Sequence, residues 1–253
     1  MTVSSCAQSF DAAAAQYAAS RPSYPAVLFD CIEEFARCRL SGARVADVGA
    51  GTGIASMLLR ERGAVVIAVE PGEAMAREFH QALPGVPIVR GDGNALPLAE
   101  ASCDLITYAQ SWQWTDPRRS VPEALRVLRT GGALAIWWNT TAFDVPWIRE
   151  QHGRIAHHCG VKPRSAVRPS DSDAIRLAGL TGLRVERRQV RWSRTVSLDV
   201  HLANIGSRSA FLVLEEADRQ AFFVDEHERL GRIFPGEEVE ETYVVDLLVA
   251  LRP

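Results

Sequence analysis

The sequence predicts an α/β fold, a doubly wound and mostly parallel sheet with helices on both faces. Two features of the chain lead to this prediction. Short apolar segments alternate with amphipathic helical segments between residues 41 and 140, and such alternation requires right-handed crossovers between parallel strands. In addition, the glycine-rich turn Asp47-Val48-Gly49-Ala50-Gly51-Thr52-Gly53 joins the first strand to the next helix, an arrangement in which such sheets bind nucleotides.

The individual elements follow from periodicity and from capping residues. Strands are predicted at residues 45–48, 64–69, 87–90, 104–109, 133–138, 183–196 and 242–251. Helices are predicted at 11–20, from Pro25 onwards, at 54–62, 73–82, 146–158 and 174–178, and twice within 197–231. The segment Ser120-Val121-Pro122-Glu123 has the form of a capping box and predicts a helix from there to Arg129. Gly131 and Gly132 are expected to turn the chain into the fifth strand.

The composition is that of an ordinary globular protein. Apolar residues make up 47% and charged residues 23% of the chain, and the formal net charge is −3. Without a basic field, nucleic acid is a disfavoured partner. The chain has neither an apolar run near the ~18 residues of a membrane span nor a leader-like N-terminus, so we expect a cytoplasmic protein without membrane association. Five scattered cysteines form no Cys-x-x-Cys pair, which predicts free thiols and no metal site.

The glycine-rich turn discriminates between two kinds of nucleotide. A dinucleotide-binding turn reads Gly-x-Gly-x-x-Gly or Ala, but the sixth position from Gly49 is Ile54, and from Gly51 it is Ser56. The glycines instead follow a Gly-x-Gly-x-Gly pattern, with Asp47 before them at the end of the strand. A carboxylate there would repel a pyrophosphate, whereas it suits a positively charged ligand group, such as the amino group or sulfonium of S-adenosylmethionine.

Two more acidic residues follow the second and third strands. Glu70 ends the second strand, where a carboxylate can accept hydrogen bonds from ribose hydroxyls. Because a dinucleotide would use the same contact, Glu70 alone does not decide between the two ligands. Asp92 follows the third strand, where it could accept a hydrogen bond from an adenine amino group, with Met75 packed on the adenine face.

With these residues in order, the chain resembles the seven-stranded, Rossmann-like S-adenosylmethionine-dependent methyltransferases of the methyltransferase domain 11 kind. Besides the glycine turn and Glu70, the resemblance rests on Asp92-Gly93-Asn94-Ala95-Leu96-Pro97 and on Gly131-Gly132 before the fifth strand. It implies S-adenosylmethionine as cofactor, S-adenosylhomocysteine as product, and an antiparallel last strand inserted beside the sixth. Asn94 departs from the pattern, since many relatives carry glutamate there, but the adenine contact at this position is often made by the backbone.

Two segments also resemble small-molecule methyltransferases of the trans-aconitate methyltransferase type. They are Phe10-x6-Tyr17-x3-Arg21-Pro22-x-Tyr24-Pro25 and Gln110-Ser111-Trp112-Gln113-Trp114. This resemblance places Tyr17 and Arg21 over the cofactor, with Arg21 as a partner for its carboxylate; the alternative is that the Arg21 segment is only a turn. The residues predicted to bind the cofactor are Tyr17, Arg21, Asp47, Gly49, Gly51, Gly53, Glu70, Pro71, Met75, Asp92, Gly93, Asn94 and Gln110.

The chain shows no convincing linker, so we expect a single methyltransferase domain over residues 1–253. Within it, residues 1–40 are expected to form N-terminal helices and residues 41–140 the cofactor-binding core. Residues 141–232 should supply the substrate-side helices and the sixth strand, and residues 239–253 the closing strand. The expected oligomeric state is a monomer or a homodimer.

The acceptor site is less sharply defined by the sequence. Methyl transfer from a sulfonium mainly requires alignment of the nucleophile, and a base is needed only when the acceptor arrives protonated. Trp112, Trp114 and Asn139 follow the fourth and fifth strands at the carboxyl edge and are the predicted acceptor-binding residues. Asn139 could equally cap a turn. His201, in the C-terminal helical segment, is the histidine considered as a general base; the catalytic residues are otherwise unknown.

Three functions are compatible with these features. The favoured one is a methyltransferase that acts on an O, N or C nucleophile of a small-molecule acceptor. The alternatives are an NAD(P)-dependent oxidoreductase and a non-catalytic binding protein with the same fold. A group of arginines on the sixth strand could bind a phosphorylated or nucleic-acid substrate, but a charged strand at a sheet edge is also a protection against aggregation. These arginines are Arg184, Arg187, Arg188, Arg191 and Arg194.

Overall fold

The computed structural model describes residues 21–161 and 183–253, which divide into two compact units. The core unit contains residues 23–139, 183–190 and 245–253, and the second unit contains residues 21–22, 140–161 and 191–244. The helices expected at 11–20 and 174–178 lie outside the described residues. Whether the whole chain forms one domain stays a prediction.

Seven strands form one sheet in the order β3-β2-β1-β4-β5-β7-β6. They are β1 Arg44–Val48, β2 Val65–Glu70, β3 Ile88–Arg90, β4 Cys103–Ala109, β5 Leu128–Thr141, β6 Arg184–Ser197 and β7 Glu238–Leu251. Strands β1 to β5 pair in parallel. β7 is antiparallel to β5, because the Gly131 N–H donates to the Arg252 carbonyl and the Ala142 N–H to the Thr242 carbonyl. The predicted fold class is therefore confirmed, including the closing strand beside the sixth.

The helices that cover the sheet begin and end close to the predicted positions. They are α1 Ala26–Ala36, α2 Ile54–Glu61, α3 Glu73–Ala82, α4 Pro117–Val127, α5 Pro146–His158, α6 Leu198–Gly206, α7 Ser209–Leu212 and α8 Glu216–Ile233. Two helices were expected within residues 197–231, and the chain forms three there. None of the helices in the described part of the chain is long and apolar enough to span a bilayer.

The predicted capping box at Ser120 is wrong. Helix α4 begins earlier, with Asp116 as the N-cap: its carboxylate accepts a hydrogen bond from the Arg118 N–H at 3.0 Å, and Pro117 occupies the first turn. Ser120 is buried within the helix, and Glu123 accepts a hydrogen bond from the Leu96 N–H at 2.8 Å. An aspartate followed by proline is itself a helix-start signal, and here it precedes the serine.

The glycine pair Gly131-Gly132 also lies elsewhere than expected, inside β5 and not before it. Gly131 adopts a φ of +73°, and the pairing register of β4 with β5 shifts between Cys103 and Leu105. Glycine is common where a strand is locally irregular in this way, since it tolerates backbone conformations that other residues avoid. The predicted turn is thus a local irregularity in a longer strand.

The core unit brings the carboxyl ends of its strands to one edge of the sheet. Residues along β1 and β4 are almost all buried, as expected for parallel strands covered by helices on both faces. The strand order reverses between β1, whose other neighbour is β2, and β4, whose other neighbour is β5. Loops on the two sides of such a reversal diverge and leave a crevice at the carboxyl edge, where open α/β sheets bind their ligands.

Candidate functional site

The turn after β1 uses its three glycines in different ways. Gly49, Gly51 and Gly53 have φ values of +67°, +57° and +95°, in the left-handed region that favours glycine. A Cβ at Gly49 would overlap Ser111, and one at Gly53 would lie 2.8 Å from Cδ1 of Leu83. A Cβ at Gly51 would meet no described atom within 4 Å. Gly49 and Gly53 therefore permit close packing, whereas the described residues leave one side of the turn open at Gly51.

Glu70, the last residue of β2, holds this turn from the side. Its Oε2 accepts a hydrogen bond from the Gly51 N–H at 2.8 Å, and its Oε1 accepts one from the Gly72 N–H at 2.7 Å. The structure places Glu70 at the predicted strand end beside the open glycine; its contact with a ribose stays a prediction.

Asp47 lies in the interior of the core unit. Its side chain has no exposed surface: Oδ2 accepts a hydrogen bond from Ser56 Oγ at 2.7 Å, and Oδ1 accepts one from Thr107 Oγ1 at 2.9 Å. Burial raises the pKa of Asp47, and the two hydrogen bonds oppose that shift. This geometry does not support the expected direct contact with a positively charged ligand group. Instead, Asp47 connects β1 to β4 and to the first turn of α2, the two elements beside the glycine turn.

Asp92 lies on an exposed loop after β3, and several hydrogen bonds hold this loop in place. Its Oδ1 accepts hydrogen bonds from the backbone N–H and the Nδ2 of Asn94, both at 2.9 Å. Asn94 Oδ1 in turn accepts one from the Asp116 N–H at 2.7 Å, and the Tyr108 hydroxyl donates to the Gly93 carbonyl at 3.0 Å. No described residue donates to Asp92 Oδ2, which therefore remains available as an acceptor at the predicted adenine position.

The remaining predicted cofactor-binding residues lie at several different places in the chain. Met75 is buried in α3, and Pro71 is exposed directly after β2. Tyr17 lies outside the described residues. Arg21 belongs to the second unit, where its guanidinium donates to the Ser207 carbonyl at 3.3 Å. The proposed contact of Arg21 with a cofactor carboxylate stays a prediction.

The chain leaves β4 through a turn that joins three strand ends. Gln110 has a φ of +61°; its N–H donates to the Trp137 carbonyl at 2.9 Å, and its Nε2 donates to the Asn139 carbonyl at 3.2 Å. Ser111 Oγ donates to the Val48 carbonyl at 2.5 Å. The turn thus links the ends of β1, β4 and β5. No sequence signal marked Ser111 or the left-handed backbone of Gln110.

The tryptophans near the carboxyl edge are mostly core residues. Trp112 is buried edge-on against Tyr108, with ring centroids 4.8 Å apart, which does not fit the wall of a ligand pocket. Trp114 is 39% exposed, and its contact with the acceptor stays a prediction. At least one of Trp137 and Trp138 was expected in the core, and both are buried.

His201 lies in a buried polar cluster of the second unit. Its Nδ1 is 2.6 Å from Glu241 Oε1, and its Nε2 is 2.9 Å from the side-chain nitrogen of Gln151. Glu241 also accepts hydrogen bonds from Arg194 at 2.6 Å and from Tyr243 at 2.8 Å. Burial alone would raise the pKa of Glu241, but His201, Arg194 and Tyr243 lower it to about 2. A carboxylate that holds one imidazole nitrogen can orient a general base, and that role of His201 stays a prediction.

The arginines of β6, which lies at the sheet edge as expected, all have carboxylate partners. Arg184, Arg187, Arg188, Arg191 and Arg194 pair with Glu186, Asp246, Glu34, Asp144 and Glu241, respectively. Because every one of these positive charges is matched, β6 does not present a basic stripe to an anionic polymer. Across residues 21–161 and 183–253, no group of histidine, cysteine, aspartate and glutamate side chains could hold a metal ion.

Comparison with known proteins identifies the family. A model of the methyltransferase domain matches residues 46–136, from β1 into β5. An uncharacterized methyltransferase of Mycobacterium tuberculosis is 35% identical over 201 residues, which cover 79% of this chain and 76% of that protein. The chain belongs to the methyltransferase family. The predicted family and enzyme class are thereby confirmed, whereas the narrower likeness to trans-aconitate methyltransferases stays a resemblance.

Two further comparisons extend this result. The malonyl-[acyl-carrier protein] O-methyltransferase of Methylococcus capsulatus is 33% identical to this methyltransferase over 175 residues, which cover 66% of this chain and 63% of that protein. A solved structure from Anaeromyxobacter dehalogenans, assigned as a type II methyltransferase, is 24% identical and superimposes with a TM-score of 0.62. The match covers 90% of this chain and 97% of that one, so the two proteins share the fold.

Proposed function

We propose that this methyltransferase binds S-adenosylmethionine at the carboxyl edge of the core unit and transfers its methyl group to a small-molecule acceptor. The observation that carries the proposal is the pairing of an open glycine with a strand-end carboxylate. No described atom lies within 4 Å of a Cβ built at Gly51, and Glu70, at the end of the neighbouring strand, accepts a hydrogen bond from the Gly51 N–H. A ribose with two hydroxyl donors fits this arrangement.

Different residues at this edge of the sheet bind different parts of the cofactor. Glu70 accepts hydrogen bonds from the ribose, and Asp92 Oδ2 accepts one from the adenine amino group. Asp47 contributes indirectly, since its bonds to Ser56 and Thr107 hold the elements beside the glycine turn. When bound, S-adenosylmethionine supplies a methyl group that its sulfonium already activates. The main task of the protein is then to orient the acceptor and exclude water, and orientation can lower a barrier by about 7–11 kcal/mol.

We propose an acceptor with an O, N or C nucleophile, bound near Trp114 and Asn139 at the ends of β4 and β5. An O-methyltransferase among the relatives is compatible with an oxygen nucleophile. A carboxylate or a neutral amine needs no base before attack, whereas an alcohol does. Nucleic acid is disfavoured as an acceptor because the arginines of β6 are paired with carboxylates.

A ligand titration separates the proposal from its two alternatives. The protein is titrated with S-adenosylmethionine, S-adenosylhomocysteine and NAD, and both tryptophan fluorescence and the melting temperature are followed. Binding of the first two ligands and indifference to NAD are expected; stabilisation by NAD alone would overturn the proposal in favour of an oxidoreductase. Incubation with S-adenosylmethionine labelled in the methyl group and a mixture of small metabolites then addresses catalysis. Binding without any label transfer would favour the non-catalytic alternative.

A further inference from the structure

Helix α8 of the second unit has an outward face that lacks the charges expected of a surface helix. Its buried side chains, Phe222, Glu226 and Leu230, follow one another at every fourth residue and define the face that packs on the unit. The opposite face consists of positions with small or apolar side chains and a single charge. These positions are Ala217, Ala221, Val224, Glu228 and Gly231. A helix that faces only water carries mainly charged and polar side chains there.

The spacing of these positions, which we call the α8 seam, is that of a helix-packing surface. They lie alternately four and three residues apart, the interval at which one edge of a helix stays in contact with a second helix laid along it. Val224 is the middle position and is 69% exposed, more than any other large apolar side chain of the described residues. The small residues on both sides of Val224 would allow a second helix to approach closely.

A groove of about 560 Å³ borders the α8 seam on the side of α6. Phe223 and Val224 of α8 line one wall of this groove, and Ala203 of α6 lines the other. At Gly206 of α6 a Cβ would lie 3.2 Å from Phe223 Cζ, so the two helices are already in close contact at the base of the groove. The groove therefore adds space beside Val224 for the side chains of a helix laid along the seam.

The charges beside the α8 seam favour an antiparallel partner helix. Asp218 and Arg229 are exposed, and neither side chain has an ionic partner within residues 21–161 and 183–253. The two residues lie on the same flank of α8, because eleven residues make about three helical turns, and Val224 lies midway between them. If two copies of α8 run antiparallel about Val224, each Asp218 lies beside the Arg229 of the other copy. Parallel helices would instead bring like charges to the same level.

We propose that α8 packs antiparallel against α8 of a second copy of this chain, with Val224 on the two-fold axis. The surface is self-complementary, as a two-fold interface requires: Ala217 lies opposite Gly231, and each Asp218 pairs with an Arg229. Opposed helix dipoles favour the same orientation. The interface lies entirely in the second unit, so it goes beyond the proposed function and does not depend on cofactor binding.

The oligomeric state tests the α8 seam. Sedimentation equilibrium should show that wild type is a dimer and that Val224→Arg, which places a charge on the axis, raises its dissociation constant about ten-fold or more. Val65→Arg is the matched control, since Val65 is 62% exposed in the core unit, and it should remain dimeric. Circular dichroism should show that both variants fold as wild type does, because both positions are exposed. A monomeric wild type overturns the proposal, and so does a dimer that Val224→Arg leaves intact.

Cysteine cross-linking tests the antiparallel orientation. Under mild oxidation Val224→Cys should form a disulfide between two copies, because the two side chains meet at the axis. Ala217→Cys alone should not do so, whereas a mixture of Ala217→Cys and Gly231→Cys proteins should. Wild type gives the background from the native cysteines. If Ala217→Cys cross-links to itself as strongly as Val224→Cys does, the helices are parallel and the proposal is wrong.

The charges at Asp218 and Arg229 give an independent test of the register. Arg229→Glu should raise the dissociation constant of the dimer, because the new carboxylate would lie beside Asp218 of the other copy. Combining Arg229→Glu with Asp218→Arg exchanges the two charges and should restore the dimer, with an effect that salt screens. A double variant that dimerises no better than Arg229→Glu alone would contradict this pairing.

Discussion

Asp47 is a buried carboxylate whose removal should affect stability before it affects binding. Asp47→Ala leaves the hydroxyls of Ser56 and Thr107 without their acceptor, and an unsatisfied buried group costs about 1–3 kcal/mol. Asp47→Asn keeps the shape and offers one acceptor and one donor. Because burial raises the pKa of Asp47, the neutral amide also removes a charge that the fold disfavours. We expect urea unfolding without ligand to show that Asp47→Ala clearly lowers the free energy of unfolding, whereas Asp47→Asn lowers it only slightly. Equal losses in the two variants would contradict this role.

Glu70 is expected to behave in the opposite way, with an effect on ligand binding that exceeds its effect on stability. In Glu70→Gln a single side-chain oxygen must serve both Gly51 and Gly72, and the amide nitrogen repels the second N–H. We predict a ten- to hundred-fold loss of affinity for S-adenosylmethionine, roughly that of one or two hydrogen bonds to a charged group, by calorimetry. Glu73→Gln, at an exposed site three residues further on, is the matched control and should bind as wild type does. If Glu70→Gln binds S-adenosylmethionine with unchanged affinity, Glu70 does not contact the cofactor.

At the scale of single elements, helix α4 gives a test of where the helix begins. Asp116 accepts a hydrogen bond from the Arg118 N–H as the N-cap, so Asp116→Ala should lower the free energy of unfolding by about 1 kcal/mol. Asp116→Asn, which retains a capping oxygen, should stay within a few tenths of a kcal/mol of wild type. Chemical denaturation of the three proteins measures both values. If Asp116→Ala leaves the free energy of unfolding unchanged, Asp116 does not cap the helix and Ser120 is again the candidate N-cap.

The elements also show which parts of the site a sequence can predict. Strands β1, β2 and β4 were placed within about one residue because parallel strands covered on both faces are continuously apolar. The glycines after β1 and the acids at the ends of β2 and β3 follow from local chemistry, whereas the start of β5 was missed by about five residues because the glycine pair lies inside the strand. The partners of Asp47 were missed, since Thr107 is 60 positions away and its pairing depends on the neighbouring strand β4. The conformation of Gln110 was missed for a similar reason: the bonds that hold it come from β5 and from the turn itself. Tertiary contacts, and not local preference, decide such positions.

At the scale of the whole molecule, the two units differ in how they bury polar groups. At the candidate cofactor edge of the core unit, no described residue donates to Asp92 Oδ2, so this exposed loop keeps an acceptor, as a ligand site requires. The cluster of the second unit is closed, because Glu241 accepts hydrogen bonds from four other residues: His201 and Asn204 on α6, Arg194 on β6 and Tyr243 on β7 itself. A closed cluster of this kind stabilises its surroundings only while its charges are maintained.

That difference leads to a prediction for the acid stability of the protein. Interactions with His201, Arg194 and Tyr243 overcome burial and lower the pKa of Glu241 from 4.5 to about 2. For a carboxyl group with a lowered pKa, the stabilisation is fully present above the unfolded value near 4.5 and is lost as the pH falls toward 2. The gap corresponds to on the order of 3 kcal/mol. Unfolding curves collected from pH 7 to pH 2 should therefore show a difference in unfolding free energy between wild type and Glu241→Gln that is largest at neutral pH and shrinks below pH 4.5.

Glu240→Gln, at the neighbouring exposed position, is the control, and its unfolding free energy should parallel that of wild type over the whole range because the Glu240 side chain lies at the surface. A difference between wild type and Glu241→Gln that stays constant with pH would mean that Glu241 contributes through packing and not through its charge.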